Sequence, residues 1–238
     1  MNKIIEAFLD TLYPPKCPIC DKALLLEDYC DRCKGLVEPI DDETCFSCGM
    51  NVKNCECSRF IYHFDGMVAP YYNDGYAQEV IYNYKFNRKF TCVPLVGDVM
   101  AKTASDKFGR ENIDIITFVP ASSRSLRQRG FNQSQLLAEH ISKTLDIPLE
   151  SDILQKYDKR KTQHEIKSIT ERFMNARDSY YFTKNISNKN ILLVDDIKTS
   201  GATLDECARQ LKFAGANMVY CVTALVSKGA KPSENKFS

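Results

Sequence analysis

The stretch Ile191-Leu192-Leu193-Val194-Asp195-Asp196-Ile197-Lys198-Thr199-Ser200-Gly201-Ala202-Thr203 decides how the rest of the chain is read. Four apolar residues of buried-strand character run into two adjacent carboxylates, where the strand is expected to end. Thr199, Ser200, Gly201 and Thr203 then supply hydroxyls and one unhindered backbone position, and a helical pattern runs from Ala202 to about Ala214. Strand, acidic pair, small hydroxyl-rich turn and helix N-terminus in that order suit a phosphorylated sugar. Backbone N–H groups and a helix dipole hold a phosphate, and carboxylates accept hydrogen bonds from neutral hydroxyls. Carboxylates alone would repel the phosphate, so the two sets of groups must address different parts of one ligand.

This segment resembles the phosphoribosyl diphosphate (PRPP) motif of type I phosphoribosyltransferases: an apolar strand, two acidic residues, and a Thr/Ser-Thr/Ser-Gly-x-Thr loop. The resemblance implies that Asp195 and Asp196 bind the ribose 2′ and 3′ hydroxyls. It implies a substrate-binding loop of Lys198, Thr199, Ser200, Gly201, Ala202 and Thr203, with residues 199–203 around the 5′-phosphate. An ordinary strand-to-helix turn capped by Ser or Thr is the alternative for any one part of the pattern, and agreement along the whole stretch weighs against it.

A chain of 238 residues holds one α/β domain of common size and a small appendage. The formal net charge of +1 excludes a globally basic nucleic-acid binder, so any such contact must come from local clusters. No run approaches the roughly 18 apolar residues of a membrane span. Near the N-terminus Ile4, Ile5, Phe8, Leu9 and Leu12 fall at helical spacing, interrupted by Glu6 and Asp10, which reads as an amphipathic helix and not a signal peptide. A cytoplasmic protein with reduced thiols and no membrane insertion is therefore expected.

Eight of the 11 cysteines crowd between Cys17 and Cys57, while Cys92, Cys207 and Cys221 stand alone in apolar surroundings as small hydrophobes. The crowded ones form knuckles: Cys17-x-x-Cys20, Cys30-x-x-Cys33, Cys45-x-x-Cys48 and Cys55-x-Cys57. A two-residue gap in a tight turn lets both sulfurs face one zinc ion. Sequential pairing gives one site of Cys17, Cys20, Cys30 and Cys33 and another of Cys45, Cys48, Cys55 and Cys57. The spacing also admits interleaved pairing, His63 in place of one second-site thiolate, and iron–sulfur ligation, although compact four-thiolate sets suit structural zinc best. Residues 1–60 are thus expected to be an N-terminal helix with a double zinc ribbon whose folding energy comes mainly from metal. Stripping the metal should then unfold that unit and spare residues 61–238.

From about residue 60 the pattern alternates between strand and helix: strand 66–72, helix 75–86, helix 94–107, strand 114–119, helix 132–145, strand 190–194, helix 202–214 and strand 217–226. Helix 75–86 ends in the basic and aromatic cluster Lys85-Phe86-Asn87-Arg88-Lys89. Strand 114–119 runs into Val119-Pro120-Ala121-Ser122-Ser123-Arg124-Ser125-Leu126-Arg127-Gln128-Arg129-Gly130-Phe131-Asn132-Gln133-Ser134. Guanidinium groups bind phosphate oxygens in forked geometry, and a loop at a strand's carboxyl end is where open α/β sheets take ligands. That makes it a candidate pyrophosphate site.

Val-Pro, an Arg four residues on, and Arg-Gly-Phe-Asn-Gln are similar to the signature of the ComF family, zinc-ribbon phosphoribosyltransferase-like proteins of bacterial competence. Arg124, Arg129, Gly130, Asn132 and Gln133 match, and Arg127 matches loosely. Lys159 to Gln163, followed by Ile166, Arg172, Asn175 and Tyr180, resembles the family's Thr-Gln-x-x-Leu and Arg-x-x-Asn segment, with Ile166 for Leu and Tyr180 for Phe. Its place between strands suits the flap that closes over PRPP in type I transferases.

The resemblance implies a type I phosphoribosyltransferase-like α/β fold, a parallel sheet flanked by helices, behind a small zinc-ribbon domain. It implies PRPP binding with magnesium and displacement of pyrophosphate from the ribose C1, with Asp195, Asp196, Arg124 and Arg129 as the catalytic group. No Ser-His-Asp or Cys-His constellation is required, and none stands out. No segment announces an acceptor. The alternative is a non-catalytic factor that binds PRPP and single-stranded DNA during DNA uptake, alongside other competence proteins, through the ribbons and Lys85, Arg88, Lys89 and Lys159 to Lys161.

Overall fold

A computed structural model describes residues 16–17, 21–24, 30, 33, 40, 43–55, 57, 61–87, 90–157 and 169–227. The expected N-terminal helix, Cys20, Arg88, Lys89, Lys159 to Gln163 and Ile166 lie outside them. Strands β1 (Gly66–Val68), β2 (Tyr71–Tyr72), β3 (Ile115–Phe118), β6 (Asn190–Lys198) and β7 (Met218–Val226) form one parallel sheet. Its order is β1-β7-β6-β3, with β2 continuing the β1 edge along β7. A separate antiparallel pair joins β4 (Leu154–Lys156) to β5 (Tyr180–Phe182). The helices are α1 (Gly75–Asn87), α2 (Cys92–Phe108), α3 (Ser123–Arg129), α4 (Gln133–Leu145), α5 (Ile169–Ala176) and α6 (Ala202–Phe213). Among the described residues no helix is long and apolar enough to cross a membrane.

Ile191 to Val194 are fully buried, as an apolar run in the middle of a parallel sheet must be. Their alternation sorts the core into two layers. Leu192 and Val194, with Val222 and Ala224 of β7, pack with Met100, Leu137 and Ile141 of α2 and α4. Ile191 and Leu193, with Val219 and Cys221, pack with Leu204, Cys207 and Leu211 of α6.

The central strand differs from expectation in one respect that creates the site. It does not end at the acidic pair, since pairing with β7 continues through Asp195↔Thr223 and Lys198↔Val226. What ends there is β3, whose last pair is Phe118↔Val194, closed by the Val119 N–H donating to the Val194 carbonyl at 3.0 Å. Beyond Val194, β6 keeps one neighbour and loses the other. The carboxylates stand on a supported strand at an open edge.

The cysteine-rich segment is fastened to this sheet. The Phe46 carbonyl accepts the Met67 N–H of β1 at 2.8 Å, and the Pro70 carbonyl accepts the Ile40 N–H at 2.8 Å. Phe46 meets Phe108 edge-on at 5.8 Å. Only glycine allows this approach, because a Cβ on Gly66 would lie 2.7 Å from the Phe46 ring. Cys48 and Met50 belong to the same apolar layer as Leu204 and Cys207.

Loss of metal is therefore expected to be felt past residue 60. Chelation should expose the Met67 amide to hydrogen exchange together with the ribbon, because its acceptor is carried between Cys45 and Cys48. Hydrogen-exchange mass spectrometry on peptides spanning β1 checks this. Protection of Met67 equal to that of β6 after zinc removal would show that the two parts separate cleanly.

Candidate functional site

Two adjacent carboxylates, 9% and 7% exposed, sit where β6 outlasts β3. Each has a partner from a distant element. The Ser134 hydroxyl, in the first turn of α4, donates to Asp195 Oδ1 at 2.7 Å, and the Asp196 N–H donates to the same oxygen at 2.9 Å. Lys85 Nζ, from the end of α1, pairs with Asp196 Oδ2 at 2.5 Å. Burial, and after it the neighbouring Asp196 charge, push the Asp195 carboxyl up to about 7 against the pull of these hydrogen bonds. Lys85 was read from sequence as a cation for single strands. The structure gives it the opposite employment, as the counter-ion of the acidic pair.

The turn after β6 carries hydroxyl groups into the start of α6. Gly201 takes φ +84°, a left-handed conformation open to glycine, and no side chain caps the first turn of α6 from that position. The Ser200 hydroxyl accepts the Ala202 N–H at 3.3 Å. Thr199 is exposed, Ser200 and Thr203 are partly exposed, and Ala202 is buried. A Cβ on Gly201 would also lie 3.1 Å from Lys198 Cε and 3.2 Å from Tyr62.

Lys198 departs from the substrate-binding role expected of it. Its side chain is 2% exposed and its ammonium lies 5.9 Å from the Tyr62 ring centroid. Burial depresses its pKa, and the thiols of Cys48, Cys57 and Cys55 are among the groups pulling it back up. It faces the second cysteine set.

The arginine segment is not a loop. Residues Ser123–Arg129 form α3, which Gly130 ends in a left-handed C-cap with its N–H on the Leu126 carbonyl at 2.7 Å. Asn132 is the N-cap of α4: its side chain accepts the Ser134 N–H at 3.1 Å and donates to the Val119 carbonyl at 3.0 Å. Gly130 and Asn132 thus shape a helix–helix corner that seats α4 against the end of β3 and aims Ser134 at Asp195. Arg124 and Arg127 are exposed. Arg129 donates to Gln133 Oε1 at 3.2 Å and lies 5.4 Å from the Phe86 ring. Buried Gln133 has its carbonyl bonded by the Tyr84 hydroxyl at 2.6 Å, while its Nε2 has no partner among the described residues. Lys85, Phe86, Gln128, Arg129 and Phe131 line a cleft of about 210 Å³. The cleft and the acidic pair share Lys85.

The flap segment is represented by the β4–β5 pair and α5, which carries Arg172 and Asn175 on exposed positions. The Asp178 N–H donates to Glu206 Oε1 at 3.1 Å, and Arg209 bridges Glu206 and Asp178 at 2.8 Å each. Phe173 lies 6.3 Å from Tyr62. The end of the flap is thereby tied to α6. Sequence reasoning missed this fastening, as it missed Lys156, Ser134 and the Tyr62-His63 pair. Of these, Ser134 alone carried a local signal, standing immediately after the Arg-Gly-Phe-Asn-Gln run.

Cys45, Cys48, Cys55 and Cys57 bring their sulfurs together, and so do Cys17, Cys30 and Cys33. The Cys48–Cys55 and Cys45–Cys57 sulfur pairs are 3.6 and 3.7 Å apart. A tetrahedral zinc with bonds of about 2.3 Å needs sulfurs about 3.8 Å apart. The donor set fits zinc, and these four thiolates would hold it as a closed structural site. His63 is engaged elsewhere, its N–H and Nδ1 meeting Asp205 Oδ1 at 2.6 and 3.1 Å.

Residues 8–61 match the double zinc ribbon domain family and residues 132–238 the phosphoribosyl transferase domain family. The chain is 32% identical over 111 residues to DNA utilization protein YhgH of Escherichia coli (strain K12), which covers 46% of the chain and about half, 48%, of that relative. It is 26% identical over 229 residues to competence protein ComFC of Bacillus subtilis (strain 168), covering 82% of the chain and 88% of the relative. Among solved structures, a purine phosphoribosyltransferase from Pyrococcus horikoshii aligns at 17% identity and a TM-score of 0.36, over 57% of this chain and 85% of that one. With a cysteine head of zinc-ribbon type joined to a parallel sheet whose central strand carries the acidic pair and runs on into the hydroxyl turn, the chain belongs to the ComF family.

Proposed function

We propose that this protein binds PRPP with magnesium and transfers its phosphoribosyl group to an acceptor, releasing pyrophosphate. The observation that carries the reading is the pair of buried carboxylates on a supported strand directly ahead of a glycine-led helix N-terminus. One end accepts hydroxyl hydrogen bonds and the other receives a phosphate. Magnesium, when bound, would neutralise the pyrophosphate oxygens. Asp195 and Asp196 would orient the ribose, and residues 199–203 would hold the 5′-phosphate. Lys85 would leave Asp196 for the pyrophosphate as the ligand enters, joined there by Arg129 across the shared cleft. Arg124, on the exposed face of α3, would reach the same group from outside. Gly130, Asn132 and Gln133 support this arrangement by holding α4 in place. The division at residue 60, a cytoplasmic setting and an acceptor that no segment announces belong to the same reading.

A second reading, a PRPP- and single-strand-binding factor in DNA uptake, is favoured by the names of the relatives, a DNA utilization protein and a competence protein. Its cations would be Lys85, released from Asp196, with Arg88, Lys89 and Lys159 to Lys161. Single-strand affinity should then fall steeply with salt, by the counterion release that each phosphate contact brings. Affinity that ignores salt or survives loss of those bases would dismiss it.

Replacing Asp195 and Asp196 by Ala together is expected to abolish PRPP binding measured by calorimetry, and unchanged binding would remove the first reading. Pyrophosphate release from PRPP across a panel of bases, amines and oligonucleotides identifies the acceptor.

The raised Asp195 pKa adds a stability prediction. Below about pH 4 the carboxyl is protonated in folded and unfolded chains alike and contributes nothing. Between about 4 and about 7 the unfolded chain releases the proton while the folded chain keeps it, so stability falls as pH rises and the full cost is present above about 7. Asp195→Asn keeps an acceptor for Ser134 and removes the charge. It should stabilise the unliganded protein by a few kcal/mol at pH 8 and by almost nothing at pH 4. Urea melts at the two pH values check the difference, and equal effects at both would refute it.

A further inference from the structure

Lys156 and Tyr180 stand directly opposite each other in the β4–β5 pair. Lys156 Nζ donates to the Tyr180 hydroxyl at 2.8 Å. Tyr180 is 3% exposed and packs in the layer that holds Leu204 and Cys207 of α6. Thr203, the last residue of the phosphate turn, is among the groups acting on its hydroxyl. An ammonium and a phenol thus meet beside the first turn of α6.

The Lys156 ammonium is short of an anion. Among the described residues no carboxylate lies within ion-pair distance of it, and its hydrogen bond goes to a neutral phenol. Burial holds its pKa below the ordinary lysine value, with the Cys207 thiol and the Asp195 carboxyl acting from a distance in the other direction. A desolvated cation without a counter-ion is costly unless an anion completes it. The turn of residues 199–203 opens the helix against which Tyr180 packs.

We infer that Lys156 is a further binding residue for the 5′-phosphate of the sugar ligand, and that Tyr180 is its positioning residue. The inference rests on the reading of the site as a phosphoribosyl site and deepens it. Pyrophosphate, bound on the Lys85 and Arg129 side, would not sense Lys156.

The test is calorimetric titration of the zinc-loaded full chain with ribose 5-phosphate, PRPP and inorganic pyrophosphate, each with magnesium. Lys156→Met should weaken ribose 5-phosphate and PRPP by about tenfold, the scale of one charge-assisted hydrogen bond, and leave pyrophosphate unchanged. Lys156→Arg should restore most of the loss. Tyr180→Phe should weaken the same two ligands a few-fold in the wild-type background and by nothing further beside Lys156→Met, a cycle that a purely structural tyrosine would not close. Wild-type affinity for ribose 5-phosphate in a folded Lys156→Met protein overturns the inference while leaving the phosphoribosyl reading intact. An equal loss for pyrophosphate overturns it too, by showing a general effect on the site. Failure of the wild-type protein to bind either sugar phosphate overturns both.

Discussion

Everything in this protein that concerns a ligand depends on two adjacent carboxylates kept buried at the end of a strand. Ionised side by side in a low-dielectric crevice they repel each other and lose hydration, which is why the Asp195 carboxyl is driven to about 7. The fold bears this cost by over-determining the strand. Ile191 to Val194 are packed on both faces, and β7 follows β6 four residues past the point where β3 leaves it. The hydroxyl of Ser134 and the ammonium of Lys85 then supply one donor and one charge. A site of this kind trades stability for readiness, since each partner now spent on a carboxylate can be exchanged for a sugar hydroxyl or a metal-bound phosphate.

Lys85 shows how far local sequence carries such a reading. Inside Lys85-Phe86-Asn87-Arg88-Lys89 it looks like one base in a solvated cluster, because nothing in its neighbourhood encodes a carboxylate carried on a strand more than a hundred residues away. Helical spacing was legible: Ala77, Val80, Ile81 and Tyr84 mark the inward face of α1, and the alternation of β6 and the caps of α4 and α6 follow from short-range rules. The PRPP-type turn was legible for the same reason, being a local backbone device. Invisible in one dimension were the strand's continuation through Asp195 and Asp196, which depends on β7 pairing, and every contact between elements distant in the chain.

The Arg-Gly-Phe-Asn-Gln run is an instructive mixture. As a string of polar groups after a strand it reads as a ligand loop. Folded, it divides its labour: Gly130 stops α3, Asn132 starts α4 and ties it to β3, and Gln133 braces Arg129. Most of the segment thus holds geometry, leaving Arg124, Arg127 and Arg129 as its candidates for binding, and composition alone does not separate the two.

Lys198 sharpens what the zinc ribbon is doing so close to this site. A lysine in a phosphate turn should face the phosphate, yet this one is buried toward Tyr62 and the second cysteine set. A four-thiolate zinc centre carries net negative charge, and burying it against α6 calls for a cation within reach. Lys198 would be that cation, and its stem and the Tyr62 ring both close around Gly201. His63, next in the chain, binds Asp205 in the first turn of α6 by both its backbone and its ring. The metal centre, the glycine whose conformation shapes the cradle and the helix whose N-terminus forms it are therefore held by consecutive residues. Metal in the second ribbon would then brace the wall behind the proposed phosphate turn, a physical reason for a cysteine-rich head to be carried on this fold.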